Sequence, residues 1–140
     1  MSEHELSKDL KSLGENTIYR TDLKSTDDIL ERFPVPKHMG SMVVELDCPE
    51  FTALCPKTGQ PDYGQFLIEY IPDEWCVESK SLKLFLGSFR QEGHFHEEVT
   101  GIIHSKLKEL LDPKWLKVRG DFKPRGGISI NPSVESYKGE

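Results

Sequence analysis

Long apolar runs are missing from this chain. No stretch approaches the roughly 20 residues that a membrane-spanning helix needs, so no membrane partner is expected. The opening MSEHELSKDL is polar and lacks the apolar stretch of a secretory leader, which sets a cytoplasmic location as the expectation. Positive charge is in short supply as well. Lys and Arg number 18 against 24 Asp and Glu, for a formal net charge of -6, whereas a general nucleic-acid binder is usually basic; direct binding to nucleic acid is not expected. Cysteines are only three, Cys48, Cys55 and Cys76, an odd count with no CxxC pair. A disulfide framework is therefore not expected and reduced thiols are, with no role assigned to Cys48 or Cys76. No GxGxxG follows a strand-like segment, which excludes a Rossmann domain.

What is present describes an ordinary soluble domain. The 140 residues are 36% hydrophobic and 30% charged, enough for one core and too few for two. Residues 1–33 are weakly patterned and read as an N-terminal arm with a short helix near Asp27 to Arg32; residues 34–140 read as a single domain. In that domain Ser41 to Asp47 is rich in β-formers and extends through Phe51 to Cys55 across a bend at Cys48-Pro49, and Gln65 to Ile71 forms a second strand, followed by extended Trp75 to Val77. The period then changes: Leu82, Phe85, Leu86 and Phe89 recur at helical spacing, as do Val99, Ile102, Ile103, Leu107, Leu110 and Leu111, with a break near Gly93 and a stop at Asp112-Pro113. Trp115 to Phe122 alternates as a half-exposed strand, and Gly127 to Ile130 reads as a short last strand. The fold class is α+β, an antiparallel four-stranded sheet with two helices on one face in the order ββααββ. Such a sheet leaves two unpaired edges, and pairing them with copies of the chain would close a ring, so a homo-oligomer is expected.

Three constellations carry chemistry. The first is Cys55-Pro56-Lys57-Thr58-Gly59-Gln60-Pro61-Asp62, a turn-rich loop between two strands. A free thiol has a pKa of about 8.5 and is only roughly 3% thiolate at neutral pH; Asp62 is close enough in sequence to help remove the proton. A structural turn around an inert cysteine is the alternative that these residues leave open. The second is Glu78 to Phe85, where a strand passes into a helix. Lys80 and Lys83 share a helix face near the helix start and could meet an anion, while Glu78 either faces a pocket or merely interacts with the helix dipole. The third is His94-Phe95-His96-Glu97-Glu98. An ionised carboxylate offers two acceptors, which suits the two adjacent N–H donors of a guanine-like edge, and Glu97 beside His96 could read it; a charged first helical turn is the bland reading. Between Asp112 and Gly127 five basic residues stand against two acidic ones, a strip that could meet phosphate or simply be solvated.

The segments CPKTGQPDYG (Cys55 to Gly64), ESKSLKLF (Glu78 to Phe85), FHEE (Phe95 to Glu98) and FKPRGGISINP (Phe122 to Pro132) resemble the motifs of the single-module 7-cyano-7-deazaguanine reductases. These are the nitrile reductases of the queuosine pathway, members of the tunnelling-fold superfamily. The resemblance runs from roughly Leu13 to Pro132, with Tyr63 where the family often has Phe. It implies two hydrides from NADPH, covalent capture of the nitrile by Cys55 as a thioimide, and proton transfer by Asp62. It also implies base recognition by Glu97, His96, Val77, Glu78 and Ser79, phosphate contacts from Lys80, Lys83 and Arg125, no metal requirement, and active sites at subunit interfaces in stacked rings. The lack of a Rossmann motif does not conflict with NADPH, because side-chain cations can hold its phosphates. Two rivals remain open: a zinc-dependent cyclohydrolase of the same superfamily using Cys55, His94 or His96, and a non-catalytic purine- or pterin-binding ring protein.

Overall fold

The computed structural model describes residues 29–140. Four strands form the main antiparallel sheet: β2 (Val44–Leu54), β3 (Pro61–Ile71), β5 (Trp115–Phe122) and β6 (Ser133–Tyr137), in spatial order β2-β3-β5-β6. Strands β1 (Arg32–Pro34) and β4 (Trp75–Val77) pair in a second, two-stranded sheet. Helices α1 (Ser79–Gly87) and α2 (His96–Leu111) cover one face of the main sheet, α1 over β2 and α2 over β5 and β6. The α+β class and the ββααββ order of the main elements are as expected. No helix among the described residues is long and apolar enough to cross a membrane.

Period-2 alternation explains the core. On β3, Asp62, Phe66, Ile68 and Tyr70 are buried, and their partners across the register, Leu116 with Tyr70 and Val118 with Ile68, are buried too. On β2 the inward residues change phase. Cys48 pairs with Phe66 but Phe51 pairs with Gly64, so one extra residue is accommodated at Pro49-Glu50. This bulge brings Phe51 and Ala53 onto the core face, where an unbroken strand would have turned them outward. From the helices Leu82, Phe85, Val99, Ile103, Leu107 and Leu111 close the core. Glu78 caps α1, accepting from the N–H groups of Lys80 at 2.7 Å and Ser81 at 2.6 Å. Asp112 ends α2 in the left-handed conformation, φ 42°.

Two expectations are corrected. Gly127 to Ile130 is not the last strand: Gly126 and Gly127 have φ of +57° and +81°, Arg125 and Ile128 exchange backbone hydrogen bonds of 3.0 Å, and regular pairing starts only at Ser133. Two consecutive positive φ values make a tight reversal there, which glycine alone takes without strain. Nor do Ile29 to Arg32 form a helix; Ile29 is a turn residue buried in the core and Arg32 opens β1. Asp27 lies outside the described residues, as does most of the expected arm, and the boundary drawn at 33/34 falls within β1.

A stability prediction arises at the far end of β3. The Val77 N–H donates to the buried Tyr70 hydroxyl at 3.1 Å. Tyr70→Phe strands that N–H and costs about 1–3 kcal/mol, read as a lowered denaturation midpoint in urea.

Candidate active site

The β2–β3 hairpin sets the loop that carries the thiol. Leu54 lies opposite Pro61, and the loop between them is closed by Cys55 N–H donating to the Gln60 carbonyl at 2.8 Å and Gly59 N–H to the Cys55 carbonyl at 2.9 Å. The Cys55 thiol is partly accessible, and its pKa is lowered from 9.0 to about 7. The largest cause is a hydrogen bond from the Thr58 side chain, followed by the backbone N–H groups of Thr58 and Lys57; the charge of Asp62 acts in the opposite direction. The loop's own donors thus stabilise the thiolate, while the nearby Asp62 charge acts against it. By contrast, burial and the neighbouring Asp47 push the Cys48 thiol up to about 11, and Cys76 is buried. Alkylation of Cys55 should therefore rise with pH through a midpoint near 7 and level off above it. Peptide-resolved mass spectrometry after iodoacetamide pulses checks this, and a midpoint near that of free cysteine would contradict it.

Asp62 continues the core-facing row of β3 and is only 6% exposed. Its carboxylate is held from two sides, by His96 Nε2 at 3.3 Å from Oδ2 and by an ion pair from Oδ1 to the Arg125 guanidinium, which also donates to the Pro61 carbonyl at 3.2 Å. Arg125 reaches inward because the Gly126-Gly127 reversal follows it immediately. His96 is the first residue of α2, and its ring lies parallel to that of Phe122 with centroids 3.9 Å apart. Phe122 has room because Gly64 is its cross-strand partner; a Cβ there would stand 2.8 Å from the Phe122 ring. Glu97 follows on the same first turn, exposed. Two buried ring nitrogens, His94 Nε2 and His96 Nδ1, make no hydrogen bond among the described residues. Their concentration near the Cys55 hairpin suits a place where outside polar groups complete the bonding.

The remaining expected residues gather elsewhere. Val77 is buried beside Tyr70, eight residues along β3 from Asp62, or about 26 Å of extended strand. Glu78 is buried at the α1 cap, its two oxygens occupied as described above. Ser79 and Lys83 line a groove of about 310 Å³ between α1 and the β2 bulge, with Cys48, Phe51, Leu86 and Arg90; Lys80 does not line it. Lys83 is exposed and has no ion-pair partner among the described residues. One chain thus assembles Cys55, Asp62, His96, Glu97 and Arg125 at the hairpin end, and does not bring Val77 and Glu78 to them. Sequence reasoning missed Thr58, Phe122 and Gly64. The visible signal was phase: Asp62 and Gly64 stand at even spacing from Phe66, Ile68 and Tyr70.

A family model described as QueF-like protein matches residues 61–140. Curated relatives named NADPH-dependent 7-cyano-7-deazaguanine reductase include those of Brucella anthropi, 50% identical over 94% of this chain and 83% of the relative, and Parabacteroides distasonis, 50% identical over 94% and 83%. That of Bacillus subtilis is 58% identical over 75% of this chain and 64% of the relative. Among solved structures, the archaeosine synthase QueF-Like in its apo form matches 67% of this chain and 92% of its own with a TM-score of 0.63; at 24% identity the likeness shows the fold alone. By its motifs, its fold and these identities, the chain belongs to the QueF-like family.

Proposed function

We infer that this chain is an NADPH-dependent oxidoreductase that reduces the nitrile of 7-cyano-7-deazaguanine to the primary amine 7-aminomethyl-7-deazaguanine, a step of queuosine biosynthesis for tRNA modification. The observation that carries the chemistry is the pairing of a thiol with lowered pKa on a closed turn with a buried carboxylate at the start of the next strand, itself held by His96. The names of the family's curated relatives supply the substrate and the cofactor.

In this reading the Asp62 carboxylate takes the Cys55 thiol proton as sulfur adds to the nitrile carbon, and it passes that proton to the nitrogen of the resulting thioimide. NADPH supplies the hydrides, two for the four electrons that separate nitrile from amine. Between them, expulsion of the Cys55 sulfur leaves an imine, which Glu97 and His96 hold through the deazaguanine ring. Arg125 balances the buried Asp62 charge, and its half-exposed side chain also leaves it near any phosphate arriving at the site. Lys83, unpaired over the α1 groove, with Lys80 one turn away, fits a phosphate contact.

The gap between the Cys55–Asp62–His96 cluster and the Val77–Glu78–Ser79 junction exceeds the span of one bicyclic base. The site is therefore completed between subunits, one supplying the thiol end and its neighbour the α1 junction. Exposed Tyr63, Phe95 and Ile128, 58%, 55% and 67% accessible and adjacent in sequence to the cluster, support burial against a second copy, as do the open edges β2 and β6. A homo-oligomer of stacked rings and a cytoplasmic location go with this reading.

NADPH absorbance followed in the presence of the nitrile tests it. Consumption approaching two cofactors per nitrile is expected, and an adduct of one ligand mass at Cys55 should accumulate when NADPH is withheld. An unmodified chain at saturating nitrile would point instead to a protein that only binds the base.

A further inference from the structure

Both neighbours of Cys55 are held by a segment to which the chemistry above gives no task. Beyond α1 the chain at Glu92 to His94 runs beside the end of β2. Leu54 N–H donates to the Glu92 carbonyl at 2.9 Å and His94 N–H donates to the Leu54 carbonyl at 3.1 Å, a parallel bridge between Leu54 and Gly93. On the other side of the thiol, Gly93 lies against Pro56: a Cβ built on it would stand 3.2 Å from the Pro56 Cα. The segment is itself anchored. His94 is 9% exposed, its ring sits edge-on to Phe89 with centroids 5.7 Å apart, and its Nδ1 pairs with Glu98 on the first turn of α2. That turn also carries His96 and Glu97.

We propose that Glu92–His94 is a positioning clamp that fixes the Cys55 thiol relative to the base-holding turn of α2, with Gly93 glycine because a Cβ there would press on the Pro56 main chain. Gly93 is not in the left-handed region of backbone space, so close approach, not conformational freedom, is what asks for glycine there. The atom it would meet belongs to the main chain of a ring-locked residue, not to a flexible side chain, so an added methyl moves the loop that carries the thiol. Reaction rates fall steeply with small displacements of the attacking atom. The latch from His94 to Glu98 means that the same segment reports on both halves of the site.

The proposal rests on the reading of Cys55 as nucleophile, and its test separates the two. In the full-length protein, Gly93→Ala should keep its affinity for 7-deazaguanine lacking the nitrile within about threefold, while thioimide formation with the nitrile slows at least about tenfold. Its Cys55 alkylation midpoint should also move up in pH, because a displaced thiol loses the Thr58 and Lys57 donors. Gly101→Ala, on α2 with nothing within 4 Å of the added carbon, is the matched control and should show none of these changes. Glu98→Ala, at a 53% exposed carboxylate, opens the latch without filling the Gly93 contact and should slow adduct formation severalfold; it decides the matter if Gly93→Ala does not fold. Adduct formation and alkylation at parental values in these variants would overturn the clamp, as would an equal loss of base affinity. If the parent protein forms no adduct, the nitrile reading fails, and the shift in alkylation midpoint alone then decides the clamp.

Discussion

Cys55→Ala should lower NADPH-coupled nitrile turnover by at least about 10⁴-fold, the scale on which removal of a covalent nucleophile is felt. Loss of the thiolate removes the group of lowered pKa that adds to the nitrile carbon, and an unactivated C≡N is a poor hydride acceptor. Affinity for the base should stay within a few-fold, because recognition is assigned to His96 and Glu97, which lie on another element. Cys55→Ser should fare no better: donors that bring a thiol to about 7 leave a hydroxyl far above neutrality. Cys48→Ala is the contrasting variant, since burial and Asp47 keep that thiol protonated, and it should retain adduct formation. The checks are initial rates of NADPH oxidation and intact-protein mass after incubation with the nitrile. Undiminished turnover in Cys55→Ala would end the covalent reading.

Most of the fold was legible because period is a backbone property. The helical spacing of Val99, Ile103, Leu107 and Leu111 and the alternation of Leu116, Val118 and Phe122 are the residues that the core buries. The last strand was misplaced for a physical reason. SVESY on β6 has only Val134 and Ser136 turned inward, and its stability comes from pairing Val134 with Val118 and from Trp115 Nε1 donating to Glu135 at 2.7 Å. A polar edge strand of this kind carries no hydrophobic run to find, whereas GISI does.

The site was legible as residue types and not as electrostatics. Cys55 and Asp62 stand out by loop position, but the direction of their coupling depends on which N–H groups the turn aims at sulfur, and that follows from the Cys55–Gln60 closure. Arg125 looked like a surface cation in a basic strip. Its ion pair with Asp62 exists because the Gly126-Gly127 reversal folds that strip back over the hairpin. Glu78, taken for a base-binding carboxylate or a helix-start acid, is the helix cap in this chain, and any contact with the base has to share the carboxylate with Lys80 and Ser81 N–H.

Asp62→Asn separates the charge that Asp62 places beside the thiol from the proton that it carries to the nitrile nitrogen. The Asp62 charge raises the thiol pKa, so neutralising it should move the alkylation midpoint below about 7. The variant should therefore hold a thiolate at neutral pH at least as well as the parent, yet turn over about 10²–10⁴-fold more slowly, because nothing then delivers a proton to the nitrile nitrogen. Asn preserves the size of the side chain under the Phe122-stacked His96, so base affinity should change little. Alkylation against pH, thioimide formation by mass and steady-state NADPH oxidation on the same preparation give the three readouts. Parental turnover would take proton transfer away from Asp62, and an upward shift of the midpoint would contradict the effect of its charge on the thiol.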